Sequence, residues 1–173
     1  MNITFRVVRA IVYFLLLLGL QGALASLLAP LGVTAPDLFL LTGVALALRL
    51  RSVPALLAGY GVGLLQDVLG HGLLGLHAAA VAGGVLLVLG ARRQLTDGGV
   101  VGAILTVVIA ILGQWTAFLI LTYWLRGGLV TVDALMRVLP WELALTVLVY
   151  PLWNRLMSWG LGPRPGADAE LAA

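Results

Sequence analysis

Long apolar runs dominate the chain, and charged residues or glycine and proline turns interrupt them at fairly regular intervals. A helix needs about 20 residues to cross the hydrocarbon core of a bilayer, and fewer where the bilayer is thin. Dividing the chain at charges and turns leaves six segments of suitable length. We predict membrane-spanning helices at residues 7–28, 35–48, 54–69, 72–91, 100–125 and 133–159. Together they form an all-α domain over residues 1–162, and the Gly/Pro/Ala-rich residues 163–173 are expected to be disordered.

Two alternatives to six full crossings remain open. The segments 35–48 and 54–69 are short, so they are also compatible with a re-entrant hairpin. Near the N-terminus, Arg6 and Arg9 precede an apolar run, and Ala23-Leu24-Ala25 has the form of a signal-peptidase site. We favour a retained helix over a cleaved leader because the apolar run continues to Leu28.

Composition supports a membrane protein and excludes several other classes. Of the 173 residues, 62% are hydrophobic and 10% are charged, whereas about a quarter are charged in an average soluble domain. The chain has no cysteine, so it can form neither disulfides nor thiolate metal sites. Basic residues occur at most two in a row, without interleaved aromatics, which argues against nucleic-acid binding.

The arginines predict the orientation of the helices. With six crossings, eight of the ten basic residues fall on one side: Arg6, Arg9, Arg49, Arg51, Arg92, Arg93, Arg155 and Arg164. Only Arg126 and Arg137 fall on the other. Because cytoplasmic loops retain basic residues, both termini are predicted to be cytoplasmic. Four tryptophans lie near predicted span ends, as in an aromatic belt: Trp124, Trp141, Trp153 and Trp159.

Small residues recur at helical spacing on three of the predicted spans. Such stripes allow close approach between helices in lipid. They comprise Ala55, Gly59 and Gly63 in the third span, Gly75, Ala79 and Gly83 in the fourth, and Gly102, Thr106 and Ala110 in the fifth. The first stripe continues to Asp67 and the last to Gln114, so both polar side chains should face protein. We therefore expect the third, fourth and fifth spans to contact one another.

Five polar residues are predicted to gather in the outer half of the membrane: Asp37, Asp67, His77, Gln114 and Glu142. Their depth follows from the helical rise of about 1.5 Å per residue. Ionisable groups at such depth are expensive and usually paired. Arg126 and Arg137, on the same side, are the candidate partners.

Each of these residues also has a purely structural interpretation. Thr34-Ala35-Pro36-Asp37 has the form of a capping box, in which Asp37 caps a helix rather than binding a ligand. Asp67 can hydrogen-bond the loop that follows it, and Glu142 can lie at the water interface. His77 is more typical of a helix-to-helix hydrogen bond than of a metal ligand, since two histidines without cysteine give no metal spacing. No nucleophile with a base, phosphate loop or metal motif is present, so neither catalysis nor a cofactor is predicted.

Three segments, residues 35–41, 59–69 and 75–78, carry a family resemblance. Their sequences are APDLFLL, GYGVGLLQDVL and GLHA. In this order and spacing they resemble the rod shape-determining protein MreD family, whose second span starts with "PDL" and whose third carries "GF..GLLQD". Tyr60 departs from the usual phenylalanine. The matching residues are Pro36, Asp37, Gly59, Gly63, Asp67, Gly75 and His77.

The resemblance implies a non-enzymatic scaffold in the bacterial cytoplasmic membrane. Such a protein binds MreC, a bitopic membrane protein, and helps to couple MreB to RodA and a penicillin-binding transpeptidase in cell elongation. The family is similar in fold to the S components of energy-coupling-factor transporters. The alternative function is therefore a substrate-binding S component of a vitamin transporter, with an outward pocket lined by Asp37, Asp67, Gln114 or Glu142.

Overall fold

A computed structural model describes residues 3–70, 73–95, 99–126 and 132–162, and these are all-helical, with no strand among them. The predicted tail, 163–173, lies outside the described residues. Six α-helices follow one another: α1 (Ile3–Leu28), α2 (Leu38–Ala47), α3 (Ser52–Leu69), α4 (Leu76–Leu95), α5 (Gly99–Arg126) and α6 (Val132–Leu161). A short 3-10 turn, Ala29–Leu31, follows α1. Each helix lies within one of the six predicted apolar segments or extends it by a few residues.

Local sequence explains where the helices begin and end. The turn after α1 ends at Gly32, whose φ of +68° is left-handed and strained for other residues. Pro54 lies in the first turn of α3, where its missing N–H has no helical partner in any case. Gly75, at φ +95°, precedes α4.

Four helical segments are long and apolar enough to cross a membrane: Val7–Leu31, Ser52–Leu69, Gly99–Leu125 and Leu135–Leu161. Leu38–Ala47 and Leu76–Arg92 are shorter apolar helices. Much of the outer surface is apolar, including Leu15, Leu57, Leu148 and Leu152, which are 63–72% exposed. Contiguous apolar exteriors of this kind are typical of proteins surrounded by lipid.

Helix α2 occupies the centre of the bundle, which the sequence did not predict. Nine of its ten residues are buried, and it packs against all five other helices. Its length of 10 residues corresponds to about 15 Å, half of a typical hydrocarbon core. Since protein surrounds α2 on every side, its backbone ends must be satisfied by neighbouring helices rather than by water.

The small-residue stripes of α3 and α5 are buried, whereas in the stripe predicted for the fourth span Gly75 precedes α4 and a Cβ there would meet nothing within 4 Å. The predicted mutual contact of three spans is wrong in one respect. Helix α4 packs against both α3 and α5, whereas α3 and α5 are not neighbours in the described part of the chain. A Cβ added at Gly63 would lie 2.6 Å from Ala78 Cα, and one at Gly84 would lie 2.7 Å from Ala110 O. Backbones approach this closely because no side chain intervenes.

The two ends of the bundle differ in composition. Arg9 lies with its guanidinium carbon 5.0 Å from the ring centre of Trp159, which brings the start of α1 to the end of α6. Arg49 and Arg92 lie at the same end, after α2 and near the end of α4. We call this the arginine end. The opposite end, where α1 and α3 finish and α2 and α4 begin, contains the polar residues of the candidate site.

Candidate functional site

Asp37 caps α2 and ties it to two other helices. Its Oδ1 accepts from the Leu40 N–H at 2.8 Å, and its Oδ2 accepts from Gln114 Nε2 at 2.6 Å. The Asp37 N–H donates to Thr146 Oγ1 at 3.2 Å. The prediction that Asp37 caps a helix is therefore confirmed, whereas the capping box starting at Thr34 is wrong, because α2 begins only at Leu38 and Asp37 itself is the N-cap residue. A carboxylate there also complements the positive end of the helix dipole.

Asp67 holds the beginning of α4 against the end of α3. Its carboxylate accepts from the N–H groups of Gly75, His77 and Ala78 at 2.8–3.0 Å, and from His77 Nδ1 at 2.8 Å. The prediction that this carboxylate faces protein is confirmed, since Asp67 is only 2% exposed. The structural interpretation of Asp67 and the interhelical hydrogen bond of His77 are both confirmed. Nδ1 is the ring atom of His77 that makes this bond.

A cavity of about 440 Å³ opens between the helices at this end. All six helices, or the turns that join them, contribute to its wall. Asp37, His77, Gln114 and Glu142 line it, whereas Asp67 lies behind His77. The remaining lining residues are Gln21, Ala25, Ala29, Val33, Thr34, Ala35, Gln66, Trp115 and Phe118. The structure thus brings four of the five predicted polar residues to one space and the fifth next to it.

Glu142 and Gln114 supply the most deeply buried polar groups of the wall besides Asp37. Glu142 is 6% exposed and accepts from Trp115 Nε1 at 3.1 Å. It therefore does not lie at a water interface. Gln114 is 8% exposed, and its Oε1 is buried without a hydrogen-bond partner. Gln66 Oε1 is in the same state. Unsatisfied buried acceptors are uncommon in proteins and call for an explanation.

The predicted pairing of these acids with arginine is corrected. Arg137 is exposed on α6, and the described hydrogen bonds of Asp37, Asp67 and Glu142 come from backbone N–H groups, His77, Gln114 and Trp115. The side chain of Arg126 lies outside what the structure describes. Helix ends and amides replace the expected cations because fixed N–H groups lie within reach of each carboxylate.

Two arginines at the arginine end close the other terminus of α2. Arg49 donates to Ala45 O at 2.9 Å, Ser158 Oγ at 2.8 Å and Gly162 O at 3.2 Å. Arg92 donates to Leu50 O at 3.0 Å. From the sequence, both arginines were used only to predict orientation. The signal that was missed is the position of Arg49 just after a short helix, where cations bond the free carbonyls. Arg92 lies on α4, and its contact with the end of α2 has no such local signal.

A third buried contact joins α1, α2 and α6 through Thr42. Its Oγ1 donates to Leu38 O at 2.8 Å, lies 2.7 Å from Tyr13 Oη and accepts from Trp153 Nε1 at 3.1 Å. Trp153 is 3% exposed, so its assignment to an aromatic belt is wrong. Trp124, Trp141 and Trp159 are 45–81% exposed, as belt residues should be.

The side chains that line the cavity determine which interactions it can offer a ligand. Its lining contains carboxylates, amides, an imidazole and aromatic rings, with no serine, lysine or cysteine among the lining residues that the structure describes. Within the described ranges no three His, Asp or Glu side chains are grouped as a metal site requires. Hydrogen bonding, charge and aromatic contact are what these groups offer a ligand.

Comparisons of the chain with protein-family models, with curated proteins and with solved structures give no match.

Proposed function

We propose that the chain is a non-enzymatic membrane scaffold of the MreD type in the bacterial cell-elongation machinery. The observation that carries the proposal is the role of the motif residues in the fold. Asp37 caps the central helix, Gly63 lets α3 and α4 touch, and Asp67 binds the N–H groups of Gly75 and His77. Gly63 and Asp67 thus join α3 to α4, and Asp37 joins α2 to α5 and α6, so the motif residues hold the bundle together, which is what a scaffold requires.

In this proposal the chain crosses the cytoplasmic membrane six times, although α2 by itself covers only about half of the hydrocarbon core, and the arginine end and both termini lie in the cytoplasm. Support comes from Arg9, Arg49 and Arg92, which lie at one end of the bundle together with the start of α1 and the end of α6. Basic residues concentrate on the cytoplasmic side of membrane proteins. The short α2 fits such a bundle because its neighbours shield it from lipid.

The proposed partner is MreC, whose single membrane helix would pack against α1. Among the four long apolar helices, the one that includes α1 has the smallest buried share, 11%. Cβ atoms added at Gly19 and Gly22 would meet nothing within 4 Å. An open glycine face permits a second helix to approach closely in lipid. MreB, RodA and the transpeptidase would then be indirect partners through MreC.

Co-purification tests the proposal. Tagged MreC from the same bacterium, co-expressed with this chain and extracted in a mild detergent, should retain the chain at near-equal stoichiometry. Gly22→Leu should reduce retention about tenfold because the new side chain separates the helices. Gly61→Leu on α3, where a Cβ also meets nothing within 4 Å, is the matched control and should retain MreC. No retention of the native chain would contradict the proposal.

The cavity favours a second candidate function, a substrate-binding S component of a vitamin transporter. Its volume of about 440 Å³ and its lining by Asp37, Gln114 and Glu142 match the pocket expected for that alternative, apart from Asp67. This function predicts retention of the energising module of such a transporter instead of MreC. The same co-purification, with that module as tagged partner, distinguishes the two.

A further inference from the structure

The geometry points to a ligand for the cavity: a small organic cation whose charged nitrogen carries N–H donors, as in a primary ammonium group. This site goes beyond the scaffold role and does not rest on it. The same chemistry is available from a soluble amine and from the ethanolamine headgroup of a membrane lipid.

Charge is the first argument. Asp37 and Glu142 both line the cavity and are 7% and 6% exposed. Among the described lining residues there is neither arginine nor lysine. Two carboxyl groups in one largely buried space attract a cation, because an opposite charge offsets the cost of removing them from water.

Unmet hydrogen-bonding capacity is the second argument, and it selects the kind of cation. Gln114 Oε1 and Gln66 Oε1 are buried acceptors without donors, and both residues line the cavity. The Gln114 side chain cannot simply turn away, since its Nε2 is engaged with Asp37 Oδ2 at 2.6 Å. A primary ammonium group brings three N–H donors. A quaternary ammonium group brings none and would leave both oxygens unsatisfied.

The aromatic wall and the size of the cavity agree with such a ligand. Trp115 and Phe118 line the cavity with ring centres 5.6 Å apart, and aromatic faces attract cations within about 6 Å. The Trp115 N–H donates to Glu142, so Glu142 is held in place for a charged partner. A volume of about 440 Å³ suits a metabolite or a lipid headgroup.

Ethanolamine and choline form a matched pair of probes, because both are small cations with a hydroxyl and only ethanolamine has N–H donors. The chain is reconstituted in phosphatidylcholine nanodiscs, and binding of labelled ethanolamine is measured by equilibrium dialysis. We expect saturable binding that is at least about tenfold tighter than that of choline, as one to two lost hydrogen bonds to a charged group require. Equal binding of the two cations would overturn the proposal.

Variants connect binding to the cavity. Glu142→Gln keeps the shape of the side chain and should weaken ethanolamine binding about tenfold. Asp133→Asn, on the same helix but exposed, is the control and should bind as the native chain does. Gln66→Leu provides a second test with the same expected direction if Glu142→Gln proves unfolded by circular dichroism. Native-like ethanolamine binding by folded cavity variants would refute the site.

A second arm identifies the source of the cation. The chain is placed in nanodiscs of equal phosphatidylethanolamine and phosphatidylcholine, and retained lipid is identified by native mass spectrometry. Preferential retention of phosphatidylethanolamine would assign the site to a lipid headgroup, and binding of free ethanolamine alone would assign it to a soluble amine. If neither is bound, the inference fails, whatever the result with MreC, because no partner protein is present in these measurements.

Discussion

The two ends of α2 satisfy the same requirement in different ways. A helix buried on all sides needs partners for its free N–H groups at one end and its free C=O groups at the other. At the arginine end, the long side chains of Arg49 and Arg92 donate to the carbonyls. At the cavity end, the short side chain of Asp37 and the amide oxygen of Gln21 on α1 accept from the N–H groups of Leu40 and Leu38, and Gln114 on α5 donates to the Asp37 carboxylate. The cavity adjoins the end where these shorter side chains meet the helix.

Both ends also have the charge that the helix dipole favours, acidic at the N-terminus and basic after the C-terminus. An isolated helix of 10 residues would be marginal in water. The stability of α2 therefore comes from its neighbours. Substitutions that remove contacts at one end or the other should show which end contributes more to the free energy of unfolding.

The largest effect is expected from Asp67→Leu, which acts on the wall of the cavity end. The substitution removes the acceptor of three backbone N–H groups and of His77. We expect the free energy of unfolding to fall by about 3–5 kcal/mol, as when one partner of a buried pair is removed. Denaturant titration in detergent measures it.

Asp133→Leu is the control for this substitution. Asp133 is exposed in the first turn of α6, where its contribution is limited to the helix dipole, about 0.3–1 kcal/mol. If both variants lost the same stability, the cavity end would not depend on the Asp67 contacts.

Arg49→Leu should have the next largest effect, at the arginine end. The variant leaves the carbonyls of Ala45, in the last turn of α2, and Gly162, after α6, without their donor, and hydrogen bonds to a charged group contribute about 1.5–3 kcal/mol. Arg155→Leu, an exposed position on α6, should change stability by less than about 0.5 kcal/mol. An Arg49→Leu variant as stable as Arg155→Leu would mean that the arginine end is not closed by this side chain. Thermal unfolding followed by circular dichroism ranks the two.

Gly63→Ala should have the smallest of the three effects and tests how tightly the cavity end is assembled. The new Cβ would lie 2.6 Å from both Ala78 Cα and His77 O, and overpacking of this kind costs about 1–3 kcal/mol. Gly61→Ala on the same helix meets open space and should raise stability by about 0.5–1 kcal/mol, because alanine favours the helix. In a thermal shift assay we expect Gly63→Ala to lower the melting temperature and Gly61→Ala to raise it. A stabilising Gly63→Ala would contradict the close contact of α3 and α4.

Sequence alone determined the features that depend on local chemistry. Helix positions followed from apolar runs and from turns such as Gly32. Gly75, which was predicted to lie inside the fourth span, instead precedes α4 with φ +95°. The capping role of Asp37 followed from its place before an apolar run. The protein-facing side of α3 followed from glycine spacing that ends at Asp67, because a polar group inside a bilayer must find a protein partner.

Tertiary structure alone decided which helix is central, which helices are neighbours and which groups partner the acids. Nothing in its sequence distinguishes α2 from a helix that contacts lipid, since the protein interior and the hydrocarbon core are both apolar and accept the same residues. Trp153 and Trp159 stand only six residues apart, yet one bonds Thr42 inside the bundle and the other is exposed. The cavity likewise depends on residues from all six helices or their turns, and the distances between helices are set by packing rather than by the order of residues along the chain.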